Sequence, residues 1–277
     1  MKVVQTIAEM KALRRTLKEP VGFVPTMGYL HEGHLTLVRR AKENNASVIV
    51  SIFVNPTQFG PTDDLEKYPR DTEADLAKLQ KLETDVVFMP TPEVMYPEGF
   101  NTWITVEKVT KRLEGTIRPG HFKGVATVVA KLFNIVAPDK AYFGQKDAQQ
   151  VVVVKKMVAD LNMNLEIVVV PTVREPDGLA MSSRNIYLSP EDRKKAVILH
   201  DSLMFAQKLV SQGEKNAERI RQEMVALIKK VVPESAIDYV SIADNTTLDE
   251  LNEIRPPALI SLVVRFGRTR LLDNIVV

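Results

Sequence analysis

The stretch VPTMGYLHEGHLTLVRRA, residues 24–41, decides the fold because its pattern changes partway along. Its left end closes an apolar run, VGFVP at Val21–Pro25, that reads as a buried strand, and its right end reads as a helix. Between them Gly28 and Gly33 bracket His31 and His34, two of the 4 histidines in the chain. A strand, a glycine-containing turn and a helix in that order open a βα unit.

The same alternation continues outward. SVIVSIFVN (Ser47–Asn55), DVVFMP (Asp85–Pro90), KAYFG (Lys140–Gly144) and LEIVVVPT (Leu165–Thr172) read as further buried strands. Between two of them Val125, Val128, Val129, Leu132, Phe133 and Val136 recur at helix spacing, bounded by Gly124 and Pro138. Buried parallel strands need helices on both faces, so the first domain, residues 1–175, is expected to be α/β, a Rossmann-like doubly wound parallel sheet. From about Arg174 the texture turns polar in REPDGLAMSSRN, and Ser189 with Pro190 then forms a helix start. A smaller C-terminal α+β domain, residues 176–277, is expected there. One helix carries Ala196, Leu199, Leu203, Ala206 and Val210 on a face, and a second carries Ile220, Met224, Leu227 and Val231. Strands follow around Ile237–Ala243, Leu259–Phe266 and Arg270–Val276, with a tight turn at Phe266–Arg268.

Composition narrows the function classes. Lys and Arg number 37 against 35 for Asp and Glu, a net +2 that supplies no global field for nucleic acid, so any phosphate recognition must be local. With no cysteine, thiolate nucleophiles and Cys-based metal sites are excluded. A charged start and the lack of an apolar run of membrane-spanning length point to a cytoplasmic protein with no membrane partner.

Ligands of open α/β sheets bind beyond the carboxyl ends of the strands, where this chain is polar and glycine-rich: PTMGYLHEGH, NPTQFG, PTPEVMYPEG, GQKDAQQ and PTVREPDGLAMSSR. A helix N-terminus after Gly28 and Gly33 suits phosphate, and His31 and His34 add imidazole donors one turn apart. HEGH lacks the spacing of a zinc HExxH motif. In GQKD, Lys146 can meet a triphosphate as a point charge, Asp147 can accept from ribose hydroxyls, and Gln150 lies one turn onward. Ser182, Ser183 and Arg184 offer hydroxyls and a guanidinium on a loop with a glycine hinge. For each motif a structural alternative stands beside the functional one: a packed histidine, a solvated helix start, a polar linker. No GxGxxG follows the first strand, no Walker loop occurs, and no serine elbow is present.

Taken together, PTMGYLHEGH, FGQKDAQQ and VREPDGLAMSSRN resemble the pantothenate synthetase (pantoate:β-alanine ligase) family of the nucleotidylyltransferase superfamily. SIFVNPTQFG, YPRD at Tyr68–Asp71 and RPGHFKGVATVVAKLFNIVAPDKAYFGQKD extend the likeness from Val21 to about Leu188. HEGH is similar to the superfamily's HIGH signature, with Glu32 at the isoleucine position as is usual for this family, and MSSR to its KMSKS loop. The resemblance implies that ATP and pantoate form pantoyl adenylate and pyrophosphate, and that β-alanine then displaces AMP, with Mg²⁺ on the phosphates. It assigns Met27, Gly28, Tyr29, Leu30, His31, Glu32, Gly33 and His34 to the ATP site, with Gly144, Gln145, Lys146, Asp147, Val173, Met181, Ser182, Ser183 and Arg184. His34 is implied as proton donor, with His31 and Lys146 beside it on the phosphates. Gln58 and Gln150 match pantoate positions, and Asn55, Phe59, Tyr68 and Phe143 are expected around the pantoate and β-alanine pocket. His121 is given no role, and His200 is read as structural. The metal's protein ligands are not read. A homodimer formed through the first domain, and a second domain closing over the ATP site, are also expected. Two rival readings stand beside this one: an enzyme passing AMP to a phosphorylated acceptor, which would want basic residues where Gln58 and Gln150 stand, and a nucleotide-sensing module without chemistry.

Overall fold

The computed structural model describes residues 1–60 and 65–277. Its contacts divide the chain into two compact units, Met1–Gly144 with Val153–Pro171, and Gln145–Val152 with Thr172–Val277. Where the sequence reading draws a single boundary at 175/176, the contacts group the GQKD helix start with the C-terminal part.

In the first unit the elements run β1 (Lys2–Val4), α1 (Ile7–Arg14), β2 (Val21–Thr26), α2 (Glu32–Asn44), β3 (Ser47–Ile52), α3 (Thr72–Lys81), β4 (Val86–Phe88), α4 (Pro92–Met95), α5 (Glu114–Ile117), α6 (His121–Val136), β5 (Lys140–Gly144), α7 (Ala148–Asp160) and β6 (Glu166–Val170), with α7 shared between units. Among the described residues the six strands form one parallel sheet in the order β1-β4-β3-β2-β5-β6. Alternate residues of β2 and β3 feed its two faces. Val24, Val48 and Val50 pack with Leu37, Val38 and Ala41 of α2 and Leu79 of α3, whereas Phe23 meets Phe133 of α6 edge-on at 6.4 Å between ring centres. Helices thus cover both faces, as the near-continuous apolar strands require. The order reverses between β2 and β5, so the topological switch point lies at Thr26 and Gly144, where this architecture binds ligands.

The strands lie where the β-branched runs are, with differences at their ends, β4 for instance keeping only Val86–Phe88 of the run read over Asp85–Pro90. β1 is an additional edge strand of only 3 residues. The run read to Asn55 leaves the sheet at Ile52, and Asn55 instead caps a 3-10 turn at Pro56–Gln58. The run read to Thr172 ends at Val170.

The second unit continues with α8 (Pro190–Lys195), α9 (Ile198–Ser211), α10 (Ala217–Val231), β7 (Ala236–Asp244), β8 (Ala258–Phe266) and β9 (Thr269–Val276), the strands forming an antiparallel sheet in that order. Leu199, Leu203, Ala206, Ile220, Met224 and Ile228 bury against Ile242, Ile260, Leu262 and Val264. The first helix expected there is two, because the Leu199 amide bonds the Ala196 carbonyl three residues back, tightening the chain at the junction. Val231, read as a core position, lies in the last turn of α10 and is exposed. Gly267, at φ 55°, opens the two-residue turn that pairs Phe266 with Thr269.

Candidate functional site

The turn after β2 is built around a buried carboxylate. Thr26 Oγ1 donates to the Ser51 carbonyl (2.7 Å) and accepts from the Gly28 amide (3.2 Å). Gly28 and Tyr29 both take positive φ, 83° and 51°, which turns the following amides inward. Asp75 of α3, 1% exposed, accepts from the amides of Tyr29 and Leu30, both at 2.7 Å. A Cβ on Gly28 would lie 3.0 Å from Ile52 Cγ2 and 3.1 Å from Asp75 Oδ2, so a side chain there meets both a strained φ and a tight contact. Lys78, one turn on, donates to the Leu30 carbonyl (2.6 Å). Burial raises the Asp75 pKa against the opposing pull of the two amides and Lys78.

Beyond this turn the histidines form the helix cap. His31 Nδ1 accepts from the Gly33 amide (3.2 Å) and His34 Nδ1 accepts from the His31 amide (3.4 Å), a capping box in which imidazoles replace the usual Ser and Glu. An imidazole accepting at Nδ1 carries its proton at Nε2 when neutral, so each ring brings an Nε2–H to the start of α2. Their ring centres are 4.1 Å apart. The packed-histidine and anion-donor readings are therefore compatible: one nitrogen holds the helix and the other carries the donor.

A second cluster of the same unit surrounds Gln58. Its Nε2 donates to Met27 Sδ (3.1 Å) and its Oε1 accepts from Asn55 Nδ2 (3.1 Å), which joins NPTQFG to PTMG. Asn55, 1% exposed, also donates to the Gly124 carbonyl (3.3 Å) and accepts from Tyr96 Oη (2.9 Å). Burial pushes the Tyr96 phenol up, keeping it a donor. Gly124 is required here: a Cβ would stand 2.3 Å from the Thr57 carbonyl oxygen, so only glycine lets α6 lie against the 3-10 turn. His121 Nδ1 lies 2.8 Å from the Gln58 carbonyl and Arg118 donates to it at 3.4 Å, so His121 shares the Gln58 cluster. Phe59 and Tyr68 stack edge-on at 5.9 Å. Phe143, expected beside the pocket, is buried on β5 and meets Phe133 edge-on.

In the second unit, REPDGLAMSSRN is a small hairpin and not a loose linker. Arg174 bridges Ala180, and the Met181 amide bonds the Val173 carbonyl (3.0 Å). Gly178, at φ 95°, lies over His200, whose Cδ2 would be 2.1 Å from any Cβ, so His200 supports the turn. Arg174 makes a forked pair with Asp273 of β9 (2.6 and 3.0 Å), and Arg193 another with Asp177 (2.7 and 3.1 Å). Ser182 then caps a 3-10 turn at Ser183–Tyr187 by accepting from the Arg184 amide. Lys146, Ser182, Arg184, Arg270 and Asp273 line one cavity of this unit, which brings GQKD and MSSR together with cations suited to a polyphosphate. Ser183 is buried, Asp147 is exposed, and Gln145 and Gln150 are partly buried.

Sequence reasoning missed Asp75, Asp273 and Asn274. Asp75 shares a helix face with Leu79 and Leu82 at i, i+4 and i+7, so a carboxylate on an apolar stripe was its signal. Asp273 and Asn274 stand between the apolar pairs Leu271–Leu272 and Ile275–Val276 of the last strand.

Residues 2–276 match the family model described as pantoate-beta-alanine ligase. The pantothenate synthetase of Acetivibrio thermocellus is 55% identical over 280 residues, covering 100% of this chain and 99% of the relative. The crystal structure of pantothenate synthetase from Thermus thermophilus superposes with a TM-score of 0.94 at 50% identity, covering 99% of each chain. That of the pantoate-beta-alanine ligase of Francisella tularensis, complexed with beta-gamma ATP and beta-alanine, gives 0.81 at 35% identity, over 100% of this chain and 97% of that one. The chain therefore belongs to the pantoate–β-alanine ligase family, and its activity is the ATP-dependent condensation of pantoate with β-alanine.

Proposed function

We propose that this condensation proceeds in two displacements with the residue roles that follow. A pantoate carboxylate oxygen attacks the α-phosphorus of ATP, the bond to the β-phosphate oxygen breaks, and pyrophosphate leaves. The β-alanine amine then attacks the acyl carbon of pantoyl adenylate, the acyl carbon–oxygen bond breaks, AMP leaves, and the amine gives up a proton. Neither displacement needs a protein nucleophile, in keeping with a chain without cysteine. Both need fixed donors where an anion approaches an anion.

The observation that supports this reading best is the capping box of α2, which spends Nδ1 of His31 and His34 on the backbone and leaves Nε2–H as the donor type at a helix N-terminus. His34 acts as proton donor and His31 accompanies it on the phosphates. Lys146 and Arg184 neutralise phosphate charge, Asp147 accepts from the ribose, and Ser182 and Ser183 add hydroxyl and backbone donors. Gln58 and Gln150 bind pantoate, since a primary amide can donate to a carboxylate and accept from a hydroxyl. Among the described residues no group of three or more His, Cys, Asp or Glu side chains could hold a metal ion. Mg²⁺, when bound with ATP, would supply charge neutralisation at the phosphates. A homodimer and a cytoplasmic location are further parts of the proposal; among the described residues no helix is long and apolar enough to cross a membrane.

With ATP, Mg²⁺ and pantoate alone, pyrophosphate release should stop near one equivalent per active site, and steady AMP formation should begin only on adding β-alanine. AMP turnover indifferent to β-alanine would contradict capture of the adenylate by the amine while leaving adenylation standing, and pyrophosphate release that requires β-alanine would refute the acyl-adenylate order.

A further inference from the structure

The last strand carries an amide whose hydrogen bonds all run to one of the phosphate motifs. Asn274 of β9, 3% exposed, donates through Nδ2 to the carbonyls of Gln145 (3.1 Å) and Lys146 (2.8 Å), and its Oδ1 accepts from Gln145 Nε2 (3.0 Å). Those partners lie 129 and 128 residues away in sequence. Its neighbour Asp273 projects to the other side of the strand and takes the Arg174 guanidinium, whose Nη1 also donates to the Gly178 carbonyl (3.0 Å). Two consecutive residues of β9 therefore fasten GQKD on one side and the MSSR hairpin on the other. Apolar residues would serve a buried strand equally well for packing, so the polar pair answers to the carbonyls and the guanidinium it meets.

We propose that Asn274 is a positioning residue for ATP use, fixing the backbone from which Lys146 reaches the phosphates, with Asp273 fixing the Ser182–Arg184 arm through Arg174. Lysine is a point charge on a flexible stem, so where its ammonium can reach is set by where its backbone is held. Lys146, Ser182, Arg184 and Asp273 line the same cavity, so a small shift of either motif changes the distance between the cations. The inference rests on the assignment of Lys146 to the phosphates.

The test is a double-mutant cycle in the full-length enzyme, reading the ATP KM, the pantoate KM and kcat. Asn274→Ala should raise the ATP KM about 10-fold or more, with the pantoate KM within about 2-fold of wild type. In a Lys146→Ala background the same change should add nothing. Asn274→Ser, which keeps one donor, should fall between, and it carries the test if the alanine variant folds poorly. Val264→Ala, in the core of the same unit, should lower the unfolding midpoint and leave the ATP KM unchanged. An additive effect in the double variant, equal changes in both KM values, or an unchanged ATP KM in the serine variant would overturn the positioning role. A Lys146→Ala enzyme with normal ATP use would instead remove the assignment on which it rests.

Discussion

In the proposed mechanism His31 and His34 carry two duties, and the physical reason is the asymmetry of the imidazole ring. Nδ1 sits close to the backbone and caps the first turn of α2, while Nε2 carries the proton of the neutral ring. The duties separate by mutation. His34→Ala loses both, and the adenylation rate should fall roughly 10²- to 10³-fold, as when one preorganised donor is removed elsewhere. Gln is a natural partner at the third position of a capping box, so His34→Gln should recover most of the cap, worth about 1 kcal/mol, without recovering the rate. Pyrophosphate release in single-turnover mixing, alongside urea unfolding, checks this. A glutamine variant with near-normal adenylation would reduce His34 to a capping residue.

At the scale of elements, α3 acts as a clamp on the turn between β2 and α2 through Asp75 and Lys78. Since burial raises the Asp75 pKa above its unfolded value of about 3.9, the native state holds that proton more tightly than the unfolded chain. Its contribution to stability is therefore full below about pH 3.9 and is lost as pH rises through the raised native value, where the ionised group pays for burial despite its two amides. Urea unfolding from about pH 3.5 to 8 should show wild type losing stability relative to Asp75→Asn as pH rises over that window. A difference independent of pH, or one moving the other way, would contradict the clamp's electrostatics. Elements of this kind were only half legible in the sequence. β-Branched runs and helix periodicity announce strands β2 to β6 and helix α6, because those signals are local. A 3-residue edge strand is too short to carry a period, and the 3-10 turn after Asn55 depends on Gly124 arriving from a distant helix. HEGH and GQKD were legible as rare side chains following strands, and the hairpin before MSSR was not, since its order comes from Asp273 and His200 far along the chain.

Each of the two compact units holds one set of the residues to which roles are proposed. The first presents the histidine cap and the Gln58 cluster at the ends of a parallel sheet, and the second gathers Lys146 and Arg184 on one cavity wall. No group in either set is required to form a bond to substrate, and each is a donor, a cation or an acceptor. Catalysis in this account is the placement of three substrates among fixed charges. Its central claim is that pantoate's own carboxylate oxygen becomes bonded to the α-phosphorus. Pantoate labelled with ¹⁸O in its carboxylate, turned over with ATP and β-alanine, tests this most directly by mass spectrometry of the products. One labelled oxygen in each AMP and none in pyrophosphate is expected, whereas unlabelled AMP or labelled pyrophosphate would contradict attack by the carboxylate.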